Sequence, residues 1–111
     1  MGLEAFPEIE SFQKLPRQVI IKGGSSTFSE KDGAQLRGIV INNIGQSIKD
    51  LKIHAVILDE QKIPILSTIV DPEPNTLAQG GIGSFLFQFK DYPQRILDYH
   101  LYANWKFDDR E

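Results

Sequence analysis

Two histidines, His54 and His100, are the side chains of this sequence best suited to moving a proton or holding a metal near neutral pH. Neither has a second histidine two or four residues away, and no third ligand stands at a metal-site spacing. They read as a structural and a solvated histidine. Ser67, His54 and Asp59 supply the residue types of a nucleophile, a base and an orienting acid. No G-x-S-x-G elbow exposes the serine, so the set reads as coincidence. Asp71, Glu73 and Asn75 place three oxygen-bearing side chains two residues apart, as a calcium loop does. Pro72 and Pro74 stiffen that segment, and Ala78 to Gly81 stand where a closing bidentate glutamate belongs. A rigid polar turn is the simpler reading. Gly80, Gly81 and Gly83 precede no Lys-Ser/Thr pair and open no helix, which removes a phosphate loop. Catalytic residues and cofactors are therefore both expected to be none, and metal ligands none beyond the calcium candidates Asp71, Glu73 and Asn75.

The elements that must position these residues are strands. Gln18 to Lys22 is a short apolar run ended by Gly23-Gly24-Ser25-Ser26. Asp32-Gly33 marks a turn into Ala34–Asn42. Leu51–Asp59 alternates, with Leu51, Ile53, Ala55 and Ile57 on one face. Ile63–Val70 follows, and Pro64 assigns it to a sheet edge or a strand start. A loop with two prolines runs from about Asp71 to Ile82. Gly83–Lys90 then stacks Phe85, Phe87 and Phe89 on one face. Leu97 to Phe107 alternates over its whole length, with Leu97, Tyr99, Leu101, Ala103, Trp105 and Phe107 inward and Tyr102 outward. The connections are too short for helical crossovers, so the strands must be antiparallel. The expected fold is an all-β antiparallel β-sandwich of about seven strands over residues 17–108. Residues 1–16 form an N-terminal extension or short helix, with Leu3, Phe6, Ile9, Phe12 and Leu15 at every third position.

Composition agrees. The chain has 111 residues, of which 41% are apolar and 24% charged, enough for one domain with a real core. Net charge is −3 and the basic residues are scattered, which argues against nucleic acid as a partner. Cysteine is absent, so no disulfide or thiolate chemistry is available. No apolar run is long enough to insert into a membrane as a helix, and the start of the sequence does not read as a signal peptide. An anchor lying upstream stays open.

Ile20, Ile39, Ile41, Val56, Leu58, Leu66 and Val70 fall opposite the expected core face. They sit in register shifts, lie under the N-terminal segment, or form an apolar patch for a protein contact. Ile39, Ile41, Val56, Leu58 and Tyr102 are the candidate partner-binding residues.

Leu36-Arg37-Gly38-Ile39-Val40-Ile41-Asn42 resembles the L-x-G-x-V-x-N strand of small bacterial and archaeal sandwich modules. Ile48 to Asp59 resembles their K-x-V-x-V-x-x-x-L-x-D strand. Leu77 to Phe89 resembles the entry to their penultimate strand, and Tyr99-His100-Leu101 their closing Y-x-L. Together, over about residues 34–103, these are similar to FxLYD-type domains. The resemblance implies an immunoglobulin-like accessory domain, placed outside the cytoplasm or tethered to a membrane, and no catalytic residues. The expected function is a non-enzymatic interaction module that binds a protein or a second copy of itself. The alternative is a sandwich that binds a ligand, calcium or a carbohydrate through the 71–83 loop.

Overall fold

A computed structural model describes residues 18–108 of the chain. The helix or extension expected over residues 1–16 lies outside the described residues. Alternating apolar residues build six strands there: β1 (Val19–Ser29), β2 (Gly33–Asn42), β3 (Ile48–Leu58), β4 (Pro64–Val70), β5 (Ile82–Phe89) and β6 (Tyr99–Phe107). They form two three-stranded antiparallel sheets, ordered β1-β2-β5 and β4-β3-β6. The protein is all-β among the described residues, and the two sheets are consistent with a β-sandwich.

The strand count is six where about seven were expected. The Gly23-Gly24-Ser25-Ser26 stretch does not end the first strand. It carries a register shift between Gly23 and Ser25, and pairing with β2 resumes through Ser29. Glycines without a Cβ accommodate the irregular backbone of a bulge, so β1 runs on past the stop expected at Gly23.

The core draws on both sheets. Ala34, Leu36 and Val40 of β2 and Phe85, Phe87 and Phe89 of β5 are buried against Ile48, Leu51, Ile53, Ala55 and Ile57 of β3. Tyr99, Leu101, Ala103 and Trp105 of β6 pack on this cluster half-buried. The run of alternation starts before the strand, at the exposed Leu97, and its last position, Phe107, is exposed within β6. Gly38 sits where the chain passes close to its neighbours. A Cβ there would strike the Phe85 ring and the Lys22 carbonyl.

Two expected orientations are corrected in β4. Leu66 and Val70 do not lie opposite the core face; they pair with the buried Ile57 and Ile53 and share their side of the sheet. Ile69 and Ser67 pair with His54 and Val56 and face outward. The Ile63, Ile65 and Ile69 series is the more apolar one, but β4 is an edge, and the register with β3 decides which face turns in.

Candidate interaction surfaces

Cross-strand pairing sets which side chains share a face. On the outer side of the first sheet, Ile20 pairs with Ile41 and Ile41 with Ile82, a row of three isoleucines across three strands. The next row is Lys22, Ile39 and Ser84. On the outer side of the second sheet, Ile69, His54 and Tyr102 form one row, and Ser67, Val56 and His100 the next. The five candidate partner-binding residues are thus not one patch. Ile39 and Ile41 belong to the first sheet, and Val56, Leu58 and Tyr102 to the second. Alternation reports the face of a residue within its strand; it does not encode which sheet the strand joins.

The second sheet brings together side chains that the sequence separates by almost half the chain. The imidazole of His54 stacks on the Tyr102 ring, with centroids 4.4 Å apart and planes 11° off parallel. His100 tilts against the same ring at 6.0 Å. His54 Nε2 meets Asn104 Oδ1. Neither histidine stands alone: both flank one tyrosine on an exposed face. Their shared outward parity with Tyr102 was the available signal, but it becomes informative only once His54 is known to pair with Tyr102.

Charges rim this sheet. Lys52 pairs with Asp71 at 2.8 Å, Lys62 with Asp98 at 2.6 Å, and Lys106 lies 3.9 Å from Asp50. β4 itself carries no charge from Ile63 to Val70. Along and beside it, Ile63, Ile65, Leu66 and Ile69 are exposed, and Tyr102 is exposed on the far strand of the sheet. The patch runs on into an end cleft of about 470 Å³, where Leu58 and Ile65 meet Tyr92 and Leu97. The cleft escaped sequence reasoning because its walls come from two separate connections, β3–β4 and β5–β6, and from β4 between them.

The acidic groups serve local structure. Asp59 Oδ1 accepts the backbone N–H groups of Gln61 and Ile63, closing the turn before β4. Of the calcium candidates, Asp71 holds Lys52, Glu73 exchanges two backbone hydrogen bonds with Ser84 at the outer edge of β5, and the Asn75 carbonyl accepts from Leu51 N–H. This loop works as a strap over the sheet edge through its backbone. Among the described residues, no three His, Cys, Asp or Glu side chains converge as a metal site. Among them, no helix is long and apolar enough to cross a membrane.

The chain matches no protein-family model, no curated protein and no solved structure.

Proposed function

We propose that this chain is a non-enzymatic accessory module with an FxLYD-type, immunoglobulin-like fold, and that it contacts a protein through the β4 side of its second sheet. One observation carries the reading. Ile63, Ile65, Leu66 and Ile69 are all exposed on or beside a single uncharged strand. Large apolar side chains clustered in this way mark contact surfaces on soluble domains, whereas single ones do not. The motif residues support the fold part of the reading. Leu36, Val40 and Asn42 are fully buried, so their pattern reports a scaffold rather than a chemistry. The resemblance further favours a place outside the cytoplasm or beside a membrane, which fractionation of the native gene product tests.

The contact is tested by a photo-crosslinking residue placed at Ile69 in cells, with Gln88 on the outer side of the other sheet as the control position. The reading expects a discrete adduct from position 69 and none from position 88. Equal labelling at both positions, or none at either, overturns it.

A further inference from the structure

We infer that the partner at β4 is a second copy of this chain, joined edge to edge by antiparallel strand pairing. The inference rests on the reading above and names the partner for the same surface.

The four edge strands are not alike. β1 carries Lys22 and the register shift at Gly23/Ser25, both of which discourage pairing with a further strand. β5 has its outer edge closed at Ser84, whose N–H and C=O bond Glu73 at 3.0 and 2.8 Å. β6 carries Lys106 and pairs irregularly where β3 shifts between Lys49 and Lys52. β4 has Pro64 and an unpaired Ile65 at its start, and nothing comparable afterwards. From Leu66 to Val70 it pairs regularly with β3, is uncharged, and includes the β-branched Thr68, Ile69 and Val70. In a regular strand, alternate N–H and C=O groups point away from the neighbour already bonded. Those of β4 point to an edge to which no strand among the described residues is hydrogen-bonded, and such groups select an extended backbone as partner.

The side chains select a copy of the same strand. A twofold axis through Thr68 sets Leu66 of each copy opposite Val70 of the other, on the inner face. On the outer face it sets Ser67 opposite Ile69, and on the inner face the two Thr68 residues meet each other. No charge enters the pairing, and Thr–Thr is a favourable cross-strand pair. Leu66, 40% exposed although it faces inward, gains cover from Val70 of the second copy. The two small sheets become one of six strands, ordered β6-β3-β4-β4-β3-β6. Closed twofold pairing is also the commonest route to a soluble oligomer. An edge this short buries less than the roughly 1,200 Å² typical of a stable interface, so the dimer is weak and concentration-dependent.

Sedimentation equilibrium of the full chain across a dilution series tests this. The mass should rise from 12.6 kDa toward twice that value with concentration. Ser67→Lys combined with Ile69→Lys puts like charges opposite one another across the axis on an outward face, where folding is little affected. It should weaken association by on the order of tenfold or more. Ile82→Lys, on the first sheet, should leave association unchanged. A chain that stays monomeric at all concentrations overturns the inference, as does a dimer that ignores the double variant or weakens equally with Ile82→Lys. The position-69 adduct separates this inference from the reading beneath it. An adduct of dimer mass supports both. An adduct with a different protein from a monomeric chain overturns the second-copy inference and leaves the protein-contact reading standing. No adduct from a monomeric chain overturns both.

Discussion

The side-chain amide of Asn42 donates to the carbonyl of Leu77, 3.0 Å away and 35 residues along the chain. The same nitrogen reaches the Gln46 carbonyl at 2.8 Å, and Oδ1 accepts the Ile44 N–H at 3.0 Å. The Asn42 backbone adds bonds with Gly80 and Gly81. One fully buried residue therefore ties the turn after β2 to the loop before β5. Asn42→Leu keeps the volume and leaves these backbone groups without their partner. It should destabilise the fold by about 3 kcal/mol, read as a lower urea midpoint at unchanged slope.

Gly38 and Gly80 should respond differently to alanine. At Gly38 the added carbon meets the Phe85 ring and the Lys22 carbonyl, inside a packed sheet. The expected cost is about 2–3 kcal/mol, the range for overpacking a core. Gly80 has φ near +84° and open space where its Cβ would go. There the cost is backbone strain alone, about 1 kcal/mol. Thermal melts of the two variants give the comparison, and similar losses would show that Phe85 moves aside.

How far the sequence reaches is visible along β2. Alternation alone turns Leu36 and Val40 inward and Ile39 and Ile41 outward, and the structure has them so. The role of Asn42 is not legible in the same way, because its side chain bonds backbone groups, and a backbone carbonyl carries no residue signature. β4 shows the opposite failure. Its isoleucine series alternates well, yet Leu66, Thr68 and Val70 turn inward because β3 fixes the register. The candidate surfaces were legible residue by residue and not as surfaces. Ile39 and Val56 are both outward-facing, and only strand pairing sends them to different sheets.

The His54–Tyr102 stack should be measurable as a coupling. The rings are directly paired across β3 and β6 and lie nearly parallel. A double-mutant cycle with His54→Ala and Tyr102→Ala should give an interaction of about 0.5–1 kcal/mol. A Thr27–Gln88 cycle supplies the baseline, since those residues lie on β1 and β5 with β2 between them. Coupling no larger than that baseline would mean the rings lie together without stabilising the sheet.

The loop after β4 should behave as a strap and not as a calcium site. Asp71 and Lys52 are both about half exposed, so Asp71→Asn should cost less than about 1 kcal/mol, and less again at high salt. Millimolar calcium should leave the melting temperature of the unmodified chain where it was. A clear rise that disappears in Asp71→Asn would instead establish a bound ion.

Asp50 offers the sharpest test of the local backbone. Its φ is +52°, in the left-handed region, at the place where β3 shifts register between Lys49 and Lys52. That conformation disfavours an L side chain, and least so for the short polar ones. The ion pair of Asp50 with Lys106, at 3.9 Å, is exposed and contributes little. Asp50→Gly removes the steric penalty but gives a more flexible unfolded chain, so the gain should be modest, up to about 1 kcal/mol. Asp50→Asn should be nearly neutral. Asp50→Val places a β-branched residue at positive φ and should cost about 1–2 kcal/mol. Urea denaturation therefore should rank the four as glycine, then aspartate with asparagine, then valine. Valine equal to aspartate would mean that β3 runs straight through this point, because only the bulge demands the left-handed residue.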